Sequence, residues 1–325
     1  MVICKNRGDI LISKRRSIEY SYMGLQMLYR RLPSEHEMKQ VIYSKMLSAK
    51  AGIIGEKKVV EVFDRYPFSF DYRVLHDVSL SSNGNFQMDT VFISPYSVVI
   101  LECKNIVGEL HFETEPLCLT RNLESGRKDT FESPEVQVDR NKLLMKEWLQ
   151  IRGIDVPVKG VIVFSSTKSR VVKSPDHTDV IYATSIPVYL RTLEREKECL
   201  SAYQMEELAR IIVEEHKPYF PYPMCKRWGI NPAELTTGVQ CGKCEQFGMV
   251  KRNNGWICTS CGNIDKVAHV QAVYEWFALV ENRISNKECR KFLRIDSSQL
   301  ASRLLNSMSL SRVNKSKNTI YRWRW

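Results

Sequence analysis

Residues 87–104 read Gln87-Met88-Asp89-Thr90-Val91-Phe92-Ile93-Ser94-Pro95-Tyr96-Ser97-Val98-Val99-Ile100-Leu101-Glu102-Cys103-Lys104: two apolar, β-branched runs around a Ser-Pro-Tyr-Ser turn. That pattern predicts a β-hairpin. With Pro95 and Tyr96 as the turn residues, Ser94 pairs with Ser97, paired numbers sum to 191, and Asp89 falls opposite Glu102. Side chains alternate along a strand, so Glu102 and Lys104 share a face. Two carboxylates and a lysine therefore meet at the open end of the hairpin. An Asp and a Glu side by side repel unless a cation lies between them. Hard oxygen donors suit Mg²⁺ or Mn²⁺, with the Cys103 carbonyl as a possible third oxygen. Lys104 can orient or help deprotonate a water attacking a phosphodiester, while the metal stabilises charge developing on phosphorus. Glu56, in Gly55-Glu56-Lys57-Lys58, can complete the metal shell or bind a second ion. A solvated strand face would account for Glu-x-Lys alone, since short motifs recur by chance. The aspartate in register, the apolar strands and the Gly-Glu helix start together favour chemistry.

Working outward, Ser34 and Glu37 are spaced as a capping box before a long helical stretch that runs to Phe63. Asp64-Arg65-Tyr66-Pro67 ends it. Further β-rich runs lie at 72–75, 86–93, 97–104 and 109–112, and 114–133 reads as loop or irregular hairpin. Residues 136–151 look helical, with Val136, Leu143, Leu144, Trp148 and Ile151 as the apolar positions. The continuous run 158–164 predicts a strand buried on both faces. Helix, antiparallel strands, helix and buried strand make an α/β or α+β domain out to about Pro218. The three prolines within 218–223 form a stiff linker and a natural boundary.

These residues also resemble a known family. Gly55-Glu56, Gln87-Met88-Asp89, Ser94-Pro95, Leu101-Glu102-Cys103-Lys104-Asn105 and Gly108 are similar to the nuclease-related domain, NERD, of the PD-(D/E)xK restriction-endonuclease-like group. Ser133-Pro134-Glu135-Val136-Gln137 resembles the family's later Pro-x-x-Gln element, which brings a glutamine to the site from a helix. The resemblance spans about residues 49–165. It implies a metal-dependent nuclease fold with Glu56, Asp89, Glu102, Lys104 and Gln137 around the site. The sequence departs from the pattern at Thr90, where many members carry histidine.

Cys241-Gly242-Lys243-Cys244 and Cys258-Thr259-Ser260-Cys261 are two Cys-x-x-Cys knuckles separated by 13 residues. Four thiolates in this spacing predict a closed, structural Zn²⁺ site with no open position for catalysis. An Asn-Gly turn in the run 249–257 predicts a hairpin between the knuckles, the layout of a zinc ribbon.

Beyond it, Ser285 and Glu288 form another capping box, and Ser297 or Ser298 caps a second helix to about Met308. Leu300, Leu304 and Met308 make an apolar stripe. Gln299, Ser302, Arg303 and Asn306 occupy a separate face suited to base edges and phosphates. Tyr321-Arg322-Trp323-Arg324-Trp325 alternates aromatic with arginine as a wing strand would. The tail resembles a winged helix-turn-helix, although 314–318 lacks the glycine that wings often turn on. A small helical pair packed on the zinc ribbon is the plainer alternative.

The charge distribution agrees with a polyanion partner. The net charge is +11; residues 226–325 hold 17 Lys+Arg against 7 Asp+Glu, leaving +1 for everything before them. A basic module of this kind most often meets nucleic acid. No apolar run approaches the ~20 residues that span a bilayer. The charged residues Lys5, Arg7, Asp9 and Lys14 argue against a signal peptide, so a cytoplasmic location is expected. The six cysteines outside the knuckles show no regular spacing, and metal binding explains the two pairs better than secreted disulfides would.

The expected architecture is a helical extension (1–48), the nuclease-related domain (49–165), a second helical extension with the linker (166–223), the zinc ribbon (224–267) and the basic helix-turn-helix-like module (268–325). The expected activity is Mg²⁺- or Mn²⁺-dependent hydrolysis of DNA. Two alternatives remain: a catalytically inactive DNA-binding or regulatory protein that kept the fold, and a zinc-containing adaptor.

Overall fold

The structure, a computed structural model, describes residues 16–193, 197–313 and 319–323. The first fifteen residues, the expected wing turn at 314–318, and Arg324 and Trp325 lie outside the described residues. The chain forms two compact units, the first from residues 16–19 and 48–219, the second from 20–47 and 220–323.

Helices α1 (Ser17–Arg31) and α2 (Lys39–Arg65) each contribute to both units. α2 begins at Lys39, not at the expected capping box. Residues 34–38 form turns instead, in which the Met38 N–H is taken by the His36 imidazole and Lys39 N–H by the His36 carbonyl.

The first unit continues with β1 (Arg73–Ser81), β2 (Asn85–Ile93), β3 (Val98–Lys104), β4 (Gly108–Thr114), β5 (Leu117–Asn122), β6 (Lys128–Glu132), α3 (Pro134–Gln150), β7 (Val158–Phe164), β8 (Ser169–Lys173), β9 (Asp179–Tyr182), α4 (Ile186–Thr192) and α5 (Ala202–Glu215). Its central sheet has the order β1-β2-β3-β7-β9, antiparallel as far as β3 and parallel from β3 through β9. One face packs Met88, Val91, Ile93 and Ile100 against Met145, Trp148 and Leu149 of α3 and Met205, Leu208 and Ile212 of α5. The other face packs Phe92, Val99, Leu101 and Val163 against Val59 and Phe63 of α2 and Ile186 and Leu190 of α4. Helices on both faces explain why the first four residues of β3 and the second half of β7 are uninterrupted apolar runs. The segment 114–133 is more regular than its polar composition indicates. Most of it is the β5–β6 hairpin, part of a second sheet in the order β6-β5-β4-β8.

The second unit adds α6 (Met224–Trp228), β10 (Val239–Gln240), β11 (Phe247–Arg252), β12 (Gly255–Ile257), β13 (Ile264–Asp265), α7 (Ala268–Leu279), β14 (Ile284–Ser285), α8 (Asn286–Leu293), α9 (Ser298–Asn306), β15 (Ser311–Arg312) and β16 (Ile320–Arg322). The β11–β12 hairpin forms between the knuckles, but Arg252 pairs with Gly255. The turn residues are thus Asn253 and Asn254. Gly255, at φ +142°, begins the return strand, where a Cβ would lie 3.0 Å from the Asp265 carbonyl oxygen. Val239, Met249, Trp256 and Cys258 share one core with Val273 and Phe277 of α7, Phe292 of α8 and Leu305 of α9. Arg31, fully buried at the end of α1, belongs to this unit. Its Nε lies 2.6 Å from Glu275 Oε2, Nη1 donates to the Thr236 carbonyl at 2.7 Å, and the guanidinium lies 4.3 Å from the Phe292 ring centroid. Among the described residues, no helix is long and apolar enough to cross a membrane.

Candidate active site

The site starts from a register. In β2–β3, Ile93 pairs with Val98 and Thr90 with Leu101, a sum of 191 throughout. In β1–β2, His76 pairs with Thr90 and Val78 with Met88. Asp77, Asp89 and Glu102 therefore stand in one row across three neighbouring strands. The β2–β3 ladder ends at Thr90 and Leu101, and Asp89 takes over the next backbone donor through its side chain. Cys103 N–H donates to Asp89 Oδ2 at 2.8 Å.

α2 brings the fourth carboxylate. Glu56, Val59 and Phe63 lie on one stripe of the helix, and Phe63 stacks on Phe92 of β2 at 6.1 Å between centroids. Gly55 permits the close approach: a Cβ there would lie 2.8 Å from Ser165 Oγ and 2.9 Å from Asn105 Cβ. Asn105 fixes the same junction by donating from Nδ2 to the Ala51 carbonyl at 2.8 Å.

Lys104 Nζ donates to Glu102 Oε1 at 2.7 Å and to Gln137 Oε1 at 2.9 Å. Gln137 comes from the first turn of α3, which starts at Pro134 after Ser133. Proline at that position suits a helix start because its missing N–H would have no partner there.

The match decides what this segment is. Residues 51–165 match the family model of the nuclease-related domain. This segment is a nuclease-related domain. Comparison with curated proteins and with solved structures gives no match.

Within the nuclease-related domain, Glu56, Asp89, Glu102, Lys104 and Gln137 thus form one cluster. Burial is its dominant electrostatic fact. Burial and then the charge of Asp89 push Glu102 up to about 7 and raise Glu56 well above the usual carboxylate range. Burial also raises Asp89, against the pull of Lys104 and the Cys103 N–H. Burial works against a charged Lys104, but Glu102 and Asp89 outweigh it and raise its affinity for the proton. Glu102 Oε2 is buried and has no hydrogen-bond partner. A buried carboxylate oxygen left this way is costly unless something positive meets it.

Two contributors were not anticipated. Asp77 has φ +54°, a left-handed conformation that Asp tolerates better than most residues. It accepts from Gln87 Nε2 at 2.7 Å and from Ser17 N–H at 2.8 Å. Arg16 Nη1 lies 3.3 Å from Glu56 Oε2. A strand extended past Leu75 in the same antiparallel register would have disclosed Asp77. Nothing local in the sequence discloses Arg16. Thr90, next to Asp89 on β2, is buried, with Oγ1 2.9 Å from His76 Nδ1.

In the second unit, the sulfurs of Cys241, Cys244, Cys258 and Cys261 all lie within 4.8 Å of one another and can hold a metal ion. Backbone N–H groups of Cys261 and Ser260 aimed at Cys258 lower its thiol to about 6 against burial, whereas at Cys244 the Gln246 N–H is outweighed by burial and the neighbouring thiols, which raise it to about 12. On α9, Ser297 Oγ accepts from Leu300 N–H as the cap. The buried face is Ala301, Leu304 and Leu305, with Leu300 and Met308 only half-buried beside it. Gln299 and Arg303 are exposed. Ser302 Oγ accepts from Asn286, and Asn306 Oδ1 accepts from the Tyr321 hydroxyl, so these two side chains also tie α9 to its neighbours.

Proposed function

We propose that this chain is a divalent-metal-dependent nuclease acting on DNA, with Asp89 and Glu102 as the ligands of Mg²⁺ or Mn²⁺. The observation that carries this reading is Glu102 itself, which has one oxygen on Lys104 and the other buried without a partner beside Asp89. All-oxygen donors of this hardness fit Mg²⁺ or Mn²⁺. The bound ion would supply Lewis-acid stabilisation of charge at phosphorus. Lys104 stays protonated between Glu102 and Gln137, positioned to orient the attacking water or stabilise the extra negative charge. Gln137 accepts from Lys104 and keeps its Nε2 available to a water or a phosphate oxygen. Glu56 closes the cluster from α2.

The same reading gives the second unit the task of holding DNA. We assign the four cysteines to structural Zn²⁺. Thiolates ~2.3 Å from a tetrahedral ion stand ~3.8 Å apart, and the Cys241–Cys261 and Cys244–Cys258 sulfurs are 3.7 and 3.5 Å apart. The order helix, strand, helix, helix, strand, strand from α7 to β16, with the three strands in one sheet, supports a winged helix-turn-helix. α9 would then present Gln299, Ser302, Arg303 and Asn306, of which Gln299, Arg303 and Asn306 are exposed.

The test is incubation of purified, zinc-loaded protein with single-stranded, double-stranded and branched DNA, with and without Mg²⁺ or Mn²⁺. Metal-dependent cleavage that disappears in Asp89→Asn supports the proposal. DNA binding with no cleavage under any metal would replace it with a binding protein that kept the nuclease fold. Elemental analysis should find one Zn per chain, lost in Cys258→Ser.

A further inference from the structure

Arg16 immediately precedes α1, and its guanidinium is partly buried against Glu56, with side-chain exposures of 14% and 12%. The next residue, Ser17, gives Asp77 Oδ2 both its N–H at 2.8 Å and its hydroxyl at 3.1 Å. Two successive residues thus address the carboxylates on one side of Asp89, while Lys104 addresses Glu102 on the other. Arg16 also acts electrostatically on Asp89 itself. The cations that act on these carboxylates are Arg16 on Glu56 and Asp89, Lys104 on Asp89 and Glu102, and Arg140 on Glu102, so Arg16 is the cation on the Glu56 side.

We propose that Arg16 is a built-in cation that takes the place of a second divalent ion, so that the nuclease-related domain binds a single ion at Asp89 and Glu102. The inference rests on the metal-dependent reading above. A guanidinium suits the task because it stays charged at every accessible pH and pairs with carboxylates in a fixed plane. A second dication at Glu56 would have to expel Arg16 or lie against it, and like charges at that range repel strongly where water is scarce. Removing the arginine takes one positive charge from the cluster and frees Glu56, so a second ion gains both a ligand and a driving force. Replacing Glu56 as well removes one negative charge, which restores the balance, and removes that ligand.

The experiment counts ions on the full zinc-loaded chain. Mn²⁺ is titrated and followed by calorimetry and by the loss of the free-ion paramagnetic resonance signal; sites lost in Asp89→Asn are those counted. Wild type and Arg16→Lys should bind one Mn²⁺, Arg16→Met two, and Arg16→Met/Glu56→Gln one. Two ions in the wild type, or one ion of unchanged affinity in Arg16→Met, would overturn the role of Arg16 and leave the metal site standing. No Mn²⁺ site in the wild type would remove the metal-dependent reading itself, and this inference with it. Should Arg16→Met fail to fold, Glu56→Gln alone decides. Stoichiometry should hold at one, whereas a true two-ion site would drop from two to one.

Discussion

Lys104 Nζ lies 2.7 Å from Glu102 Oε1 and 2.9 Å from Gln137 Oε1, so one cation bridges a strand carboxylate and a helix amide. Lys104→Met should keep the fold and lower the rate of DNA cleavage by about 10²-fold or more, the usual scale for removing a positioned proton-transfer or charge-stabilising group. Gln137→Ala should cost less, because Lys104 keeps Glu102. Rates on end-labelled duplex at saturating Mn²⁺ would check both. Wild-type cleavage by Lys104→Met would remove Lys104 from the chemistry.

Stability should depend on pH through Glu102. Burial, then Asp89, lift its carboxyl from an ordinary value near 4.5 to about 7. Between those values the folded, metal-free protein holds a proton that the unfolded chain has released. Stability attributable to this group is therefore full below about pH 4.5 and is lost as pH rises through about 7. Chemical denaturation of metal-free protein should show that fall, and Glu102→Gln should reduce it, the remainder coming from Glu56 and Asp89, which burial also raises. Metal ligation needs the carboxylate ionised, so added Mn²⁺ should stabilise more at pH 8 than at pH 6.

Gly55 sets the distance between α2 and the strands. A Cβ there meets Ser165 Oγ and Asn105 Cβ closer than side chains normally approach. Overpacking of this kind costs roughly 1–3 kcal/mol, so Gly55→Ala should lower the urea midpoint and, by displacing Glu56, weaken Mn²⁺ binding. Gly126→Ala is the control for a glycine with open space around it; it carries only the strain of φ +81° and should leave metal affinity unchanged.

The hairpin was legible because two constraints agreed. Pro95 in a tight turn fixed the register, and alternation along apolar strands placed Glu102 and Lys104 on one face. β5 and β6 were not legible, because Thr120, Arg121, Asp129 and Thr130 give a polar pattern whose pairing depends on β4. Asp77 was missed because β1 runs on past Leu75 through a left-handed residue. The cysteine spacing was enough to bring four sulfurs together. The shared core around Trp256 and Phe277 gathers residues from Val239 to Tyr321, a spread that no local period reveals. The buried Arg31–Glu275 pair joins residues 244 apart, and a charged pair at such a distance leaves no trace in composition.

That pair also decides how DNA binding should be tested. Deleting the chain after Pro223 would remove Glu275, Thr236 and Phe292 together and strip the end of α1 of the residues packed around Arg31, so lost binding would be mixed with lost structure. Point variants are the sounder probe. On the proposed reading the contact surface lies in the second unit, which carries the +10 excess of residues 226–325 and the exposed Gln299 and Arg303 of α9. Phosphate contacts release counterions, so affinity should fall with salt at a log–log slope of about 0.9 per phosphate neutralised. Arg303→Ala should weaken binding and reduce that slope by about one if the guanidinium meets a phosphate. If it meets a base edge, the slope should hold while sequence preference drops by roughly 1–3 kcal/mol. Gln299→Ala should leave the slope unchanged in either case, since a neutral amide displaces no counterion. Fluorescence anisotropy at several salt concentrations distinguishes these outcomes. Arg303→Ala with wild-type affinity, slope and preference would take α9 out of the interface.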